Sequence, residues 1–378
     1  MLQRCDILIV GGGPAGSTLA SQLVAHGMDV IVLDKQTFPR DKTCAGWITP
    51  AVIKSVGLNV EAYAQFRVLQ PIHGFRISCM GGREVVNSYS GAPVSYGIRR
   101  CEFDHYLLQR SGALLRLGEA FRTMQRKGSE WIVNGHIGTP LVVGAGGHFC
   151  PVARAMGARL GRTETVVAAQ ELEFEMSPSQ IAQCGICGDT PELFFCDDLK
   201  GYGWVFRKQR FLNIGLGRED NHRLSDHVKT FCHFLRRRGG LPQGIPTSFQ
   251  GHAYLLYEHA YRKIADNSVL LVGDAAGLAY TQSGEGIRPA VESALLAAEV
   301  IWDSQCDYRR ERLSGYIDRL TQRFGKREGN PAIIDLLPAE LKRSIARRLL
   351  ATHWFTRYVL TDRWFLHVHQ AAPPGESS

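Results

Sequence analysis

Two short segments carry residues that could handle a phosphate-linked ligand. Gly11-Gly12-Gly13-Pro14-Ala15-Gly16 has the spacing G-x-G-x-x-G. In such a turn Gly11 permits the tight reversal, Gly13 lets backbone amides approach a pyrophosphate, and Gly16 lets the following helix lie close to its sheet. Asp34, with Lys35 beside it, could accept hydrogen bonds from a ribose. This chemistry selects a ligand with an ADP moiety and leaves open which dinucleotide carries it. In the second segment, Gly273-Asp274-Ala275-Ala276-Gly277 sets a carboxylate between glycines, and Ser283-Gly284-Glu285-Gly286-Ile287 leads into a further helix.

The elements that would position these groups are legible around them. The apolar run at 5–10 reads as a buried strand, residues 17–26 as a helix with Leu19, Ala20, Leu23 and Val24 on one side, and residues 30–33 as a second strand ending at Asp34. Together they form a β-α-β unit. Residues 268–272 are again strand-like, and a helix is expected over 291–301. Between the two segments the texture changes: short runs at 166–174, 192–196, 203–206 and 211–217 alternate with turn residues, as an antiparallel sheet would. Tyr202, Trp204 and Phe206 are spaced by two and share one strand face, either as plain core or as the wall of a pocket.

Composition bounds the alternatives. The chain has 378 residues, 44% of them hydrophobic and 21% charged, which fits a globular protein of two domains. Its net charge of +8 is concentrated in local runs such as Arg236-Arg237-Arg238 and Arg347-Arg348, without the aromatic interleaving of a nucleic-acid module, so no nucleic-acid partner is expected. Ten cysteines follow an N-terminus without a signal-peptide pattern, which predicts reduced thiols in the cytoplasm. Cys184 and Cys187, with Cys196 nearby, lack the second pair that a structural zinc requires, and His367 with His369 reads as a surface pair, so no metal is expected. The basic amphipathic helix after Pro338 carries Leu341, Ile345, Leu349 and Leu350 on one side and is followed by Trp354, Phe355, Tyr358, Trp364 and Phe365. It is expected either to pack on the nucleotide-binding domain or to lie against the inner face of a membrane. Residues 373–378 read as a frayed tail.

The second segment, a strand running into G-D-A-A-G and then G-E-G-I opening a helix, resembles the second FAD motif of glutathione-reductase-type flavoproteins, in particular the flavin hydroxylase and geranylgeranyl reductase group. Further stretches carry the likeness. Phe38-Pro39-Arg40-Asp41-Lys42-Thr43-Cys44-Ala45-Gly46 is similar to the F-P-R-x-K-x-C-G-G segment of geranylgeranyl reductases, departing at Ala45 and at Trp47, which would narrow the cavity. Arg100-Cys101-Glu102-Phe103-Asp104 matches R-x-x-F-D, and Tyr202-Gly203-Trp204-Val205-Phe206 matches Y-x-W-x-F, with Arg207 where proline is expected. Gly146 stands where the hydroxylases have the aspartate of a D-G motif, which weakens the expectation of direct NADPH use.

The resemblance implies an α/β fold: a Rossmann-type FAD-binding domain (1–75, 98–160 and 262–308) with an inserted antiparallel β-sheet substrate domain (76–97 and 161–261) and C-terminal helices (309–378). It implies non-covalent FAD held by Gly11, Gly13, Pro14, Ala15, Gly16, Asp34, Lys35, Arg40, Cys44, Ala45, Gly46, Arg100, Gly273, Asp274, Ala275, Gly286 and Ile287. Asp274 would meet the ribityl and pyrophosphate part, and the helix opened by Gly286-Ile287 would face the ring. Trp47, Tyr202, Trp204 and Phe206 would line the substrate cavity, with Cys44 as the candidate near the flavin. The implied reaction is reduction of carbon-carbon double bonds in a small apolar, isoprenoid-like substrate, with NADPH or a ferredoxin-like protein as electron donor. A flavin-dependent monooxygenase and a non-catalytic FAD-containing binding or resistance protein are the alternatives.

Overall fold

The glycine-rich turn sits where its flanking residues force it to. Ile7–Val10 is buried along its whole length and pairs in parallel with Val30–Asp34 on one side and Leu141–Gly144 on the other. A strand with parallel neighbours on both sides is covered on both faces, which is why it reads as an unbroken apolar run. The computed structural model describes residues 2–159, 164, 166–219, 222–327 and 338–370. Its central sheet has six strands in the order Ala265–Asp266, Val269–Leu271, Leu141–Gly144, Ile7–Val10, Val30–Asp34 and Leu114–Leu117, parallel except at the first pair.

The helix Pro14–Ala25 packs against the helix Ile287–Asp303, and both nucleotide-type segments follow the carboxyl ends of parallel strands of this sheet. Proline at the first turn of Pro14–Ala25 sacrifices no backbone donor, because the first N–H groups of a helix have no partner within it. A four-stranded sheet (Gln3–Arg4, Ile137–Thr139, Glu130–Val133 and Met124–Lys127) flanks the main one.

The second large unit is a seven-stranded sheet in the order Gln250–Leu255, Val166–Glu175, Phe211–Arg218, Gly201–Lys208, Glu192–Phe195, Gly74–Cys79 and Val85–Ser88. All its pairings are antiparallel except one: Glu192–Phe195 runs parallel to Gly74–Cys79. This strand arrives from a remote part of the chain, so no hairpin constrains its direction. Two expected domain limits cut through elements: the limit after residue 75 falls inside Gly74–Cys79 and that before residue 98 inside Ser95–Ile98. Ser95–Ile98 forms a three-stranded sheet with Trp47–Ile48 and Leu69–Ile72. The expected limit at 160–161 and the tail 373–378 lie outside the described residues.

The basic C-terminal helix packs elsewhere than on the nucleotide-binding domain. Ala339–Leu350 and Phe355–Phe365 pack on the seven-stranded sheet, against Gly74–Cys79 and Val85–Ser88, and Leu350, Leu360 and Phe365 join the apolar cluster of that sheet with Phe75, Trp204 and Phe206. The apolar stripe read from sequence is only partly used: Leu350 is buried, Ile345 and Leu349 are half-buried, and Leu341 is exposed.

Candidate functional site

A cavity of about 720 Å³ runs between the central sheet and the seven-stranded sheet. At one end it is lined by Gly11, Gly13, Pro14, Ala15, Asp34 and Lys35. The glycines do different things here. A β-carbon at Gly16 would collide with the Gly11 carbonyl oxygen, whereas one at Gly13 would meet only the Arg40 Nη2, 3.6 Å away, and would project into the cavity end. The helix behind them has no acidic residue in its first turn and no side-chain cap, so its positive end is left for a ligand. The Asp34 carboxylate accepts from the Gly12 amide at 2.7 Å and the Gln36 amide at 2.9 Å, and each oxygen keeps a lone pair for a further donor.

Cations line the middle. Arg100 forms a bidentate pair with the fully buried Asp104, both contacts at 2.8 Å, and Arg40 Nη1 lies 3.3 Å from the same carboxylate. The aspartate of the R-x-x-F-D segment is therefore the post that aims two guanidiniums at the cavity. Burial works against the charge of Arg100, but Asp104 and the thiol of Cys44 outweigh it and hold its pKa above the ordinary value. Lys42 Nζ stands 2.9 and 2.8 Å from the two ring nitrogens of His252, whose Nε2 is 3.9 Å from Asp274. Burial and then the like charge of Arg100 lower the Lys42 ammonium to about 8. Burial alone would raise Asp274, yet the His252 hydrogen bond and the charges of His252, Lys42 and Arg100 hold it low.

At the far end the wall is aromatic. Tyr202, Trp204 and Phe206 project from Gly201–Lys208 into the lining, joined by Trp47, Tyr254 and Phe365. Trp47 stacks on Phe365 with ring centres 5.4 Å apart and 15° between planes, and Phe365 meets Tyr202 edge-on at 5.6 Å. The Trp204 indole fills the space that Gly215 leaves on the neighbouring strand, and its N–H donates to Asn213 at 2.7 Å. Core and pocket wall are thus one structure: Trp204 is 7% exposed and lines the cavity as well.

Gly46, Gly273 and Ala275, like Gly16, lie behind the lining. Gly46 has φ +64° and no room for a side chain beside the Ile98 carbonyl, Gly273 has φ +61° and packs on Ala15 and Ala290, and Ala275 is fully buried. Cys44 and Ala45 line the cavity, and the Cys44 sulfur accepts from the Gly46 amide at 3.4 Å. Gly286 and Ile287 are in the lining at the start of Ile287–Asp303. Gly146 is exposed and lines the cavity with His148.

His367 corrects the expected surface pair: it is buried, with its ring 3.9 Å from that of Tyr280, while His369 is exposed. Cys184 and Cys196 are buried and Cys187 is exposed. Asp104, His252, Tyr254, Glu285 and Phe365 are members that residue-by-residue reading passes over. Asp104 had a signal in its motif, and Glu285 in its place between two glycines, but His252 lies in a strand with no motif at all.

An anionic, two-ended ligand fits this arrangement: a bare glycine turn and helix end, then cations, then an aromatic chamber. The sequence model of the family described as "FAD binding domain" matches residues 4–303. The chain is similar to menaquinone reductase of Mycobacterium tuberculosis, 29% identical, with 94% of this chain and 86% of that protein covered. It is 29% identical to digeranylgeranylglycerophospholipid reductase of Methanothrix thermoacetophila over 85% of this chain and 84% of that one. Among solved structures, a geranylgeranyl bacteriochlorophyll reductase-like protein from Thermoplasma acidophilum shares the fold with a TM-score of 0.73, at 20% identity, covering 93% of this chain and 89% of that chain.

Proposed function

The chain belongs to the FAD-binding domain family of flavoproteins, and from that premise we propose that it reduces carbon-carbon double bonds in an apolar, isoprenoid-like molecule. The observation that carries this reading is the aromatic chamber of Trp47, Tyr202, Trp204, Phe206 and Phe365, continuous with the glycine end of the same cavity. Such a chamber gains affinity from apolar contact and offers few groups to orient a polar substrate. Two named relatives act as reductases, of menaquinone and of digeranylgeranylglycerophospholipid, and both names carry polyprenyl chemistry.

Gly11, Gly13 and the amide end of Pro14–Ala25 would hold the pyrophosphate of non-covalent FAD, and Asp34 its adenosine ribose. Arg40, Lys42 and Arg100, which line the same cavity, would balance the phosphate charge, and the Asp274 carboxylate would accept from hydroxyls of the cofactor. When bound, FAD supplies the redox chemistry of the hydride. The start of Ile287–Asp303 favours negative charge on whatever faces Gly286 and Ile287. The aromatic walls hold the alkene and exclude water. Electrons come from NADPH or a ferredoxin-like protein.

The exposed Trp354, Tyr358 and Leu341 beside the arginines of Ala339–Leu350 suit contact with an anionic membrane from which such a substrate is drawn. Among the described residues no helix is long and apolar enough to cross one.

Anaerobic incubation with reduced FAD and a polyprenyl alkene is the test. The expected product gains two hydrogens per double bond; product that forms only with oxygen present makes the protein a monooxygenase instead.

A further inference from the structure

The segment that leads into Ile287–Asp303 carries a carboxyl group, Glu285, to which the cofactor reading gives no role. Glu285 lines the main cavity with both carboxyl oxygens buried and without a side-chain hydrogen-bond partner among the described residues; only the Arg288 backbone N–H, at the start of the helix, acts on it as a donor. Leaving a buried carboxyl so poorly partnered costs stability, and its retention calls for a use. The backbone around it is braced: the Tyr280 amide donates to the Glu285 carbonyl at 2.9 Å, the Gly284 amide to the Tyr280 carbonyl at 2.8 Å, and the Tyr202 hydroxyl to the Ser283 carbonyl at 2.5 Å.

Facing it is a second orphan. His367 Nε2 stands 3.9 Å from Glu285 Oε2 and also lacks a hydrogen-bond partner. His367 belongs to the lining of another pocket, about 320 Å³, together with Tyr280, Gln282, Trp364 and Gln370. The pair therefore spans the partition between the two cavities.

The charged neighbours do not neutralise it. Arg288 pairs with Glu292 at 2.8 Å and Arg323 with the same carboxylate at 2.6 Å, so the guanidiniums nearest Glu285 in sequence and around His367 are taken up by Glu292. Burial, against the pull of the Arg288 guanidinium and with the like charge of Glu292, pushes the Glu285 carboxyl up to about 8 even though the Arg288 backbone N–H favours its charged form. Burial, then the charges of Arg288 and Arg323, push the His367 imidazole down to about 4. At neutral pH one group keeps a proton and the other presents a lone pair.

We propose that Glu285 and His367 form a proton relay through the cavity wall, carrying protons from solvent in the second pocket to the reaction in the main one. This rests on the reductase reading, in which the alkene takes a hydride from reduced FAD at one carbon and a proton at the other. Glu285 releases that proton toward the cavity by rotating its side chain and becomes a carboxylate. The new negative charge raises the proton affinity of His367, which takes a proton from water and returns it to Glu285 through Nε2. The net change is one solvent proton moved to the product, with no electrons exchanged by the pair. Both are relay residues and do not hold the substrate.

The test uses the FAD-loaded full chain. Infrared titration of protein carrying isotope-labelled glutamate should show a carboxylic-acid carbonyl band that disappears with a midpoint near 8, and that is absent from Glu285→Gln. In anaerobic single turnover of a polyprenyl alkene, Glu285→Gln should slow product formation by about tenfold or more at unchanged KM, and the solvent isotope effect should change. His367→Ala should be slowed as well and recover with added imidazole, which a merely structural loss would not do. If labelled wild-type protein shows no acid titrating above the ordinary glutamate range, the relay is overturned whether or not the variants fold. It is equally overturned if Glu285→Gln turns over within twofold of wild type with the same pH profile. Wild-type protein that reduces no alkene at all defeats the functional reading, whereas active wild type with indifferent variants defeats the relay alone.

Discussion

Gly13 and Gly16 share one turn, and a side chain on each would fail for a different reason. At Gly13 the added atoms enter the cavity end, so Gly13→Val should fold normally and lose FAD affinity by about tenfold or more, read by flavin fluorescence titration beside a thermal melt. At Gly16 they strike the Gly11 carbonyl, and the same substitution should instead lower the melting temperature. Trp204→Ala is expected to do both kinds of damage: an indole so deeply buried costs roughly 3–5 kcal/mol when removed, in addition to widening the chamber. Glu285 makes a prediction in pH. Its folded carboxyl keeps a proton up to about 8, while the unfolded one releases it near 4.5, so between those values folding binds a proton and this contribution to stability falls as pH rises. Glu285→Gln lacks that slope. The melting temperature of the variant minus that of wild type should grow between about pH 5 and pH 8, by an amount equivalent to roughly 1–3 kcal/mol; a constant difference would mean that Glu285 does not titrate in this window.

Elements with a strong period were legible from sequence, and their partners were not. The buried run at Ile7–Val10 and the face of Tyr202, Trp204 and Phe206 follow from spacing alone, because a strand's side chains alternate whatever lies beside it. The parallel neighbour of Glu192–Phe195 had no such signature, since Gly74–Cys79 comes from more than a hundred positions earlier. The same limit hid the pairing of Arg288 with Glu292: the i,i+4 spacing was visible, but not its burial or the arrival of Arg323 from Gly315–Phe324. That network pins Gly315–Phe324 to Ile287–Asp303. Glu292→Leu leaves the Arg288 guanidinium buried without its carboxylate and should destabilise the protein by roughly 3–5 kcal/mol, measured by thermal or denaturant unfolding. An effect below about 1 kcal/mol would mean that the pair is solvated and structurally idle.

For the molecule as a whole, what composition could not supply was the location of the C-terminal segment. Its basic, aromatic character suited a helix on the nucleotide-binding domain or on a membrane, and neither reading contained the contact that matters, Phe365 against Trp47 and Tyr202. Long-range apolar contacts of this kind leave no periodic trace, because any large side chain can meet any other. The residues proposed to meet a membrane remain outside that contact: Trp354 and Tyr358 are exposed. Sedimentation with anionic vesicles should bring the protein down at low salt, and Trp354→Ala combined with Tyr358→Ala should release it; wild type that stays in the supernatant sinks the membrane contact.

Phe365 reaches the cavity from a segment beyond the residues that match the FAD-binding family, so the chamber and the nucleotide end are built by separable parts of the chain. On the proposed reductase reading, changes in 338–370 would reshape the chamber for longer or shorter chains while the nucleotide end stays under its own steric restraints. Relatives would then diverge in ligand length by altering one exchangeable piece of chain. A chimera carrying that piece from a reductase of different chain-length preference should adopt the donor's preference in competition assays and keep this protein's flavin affinity.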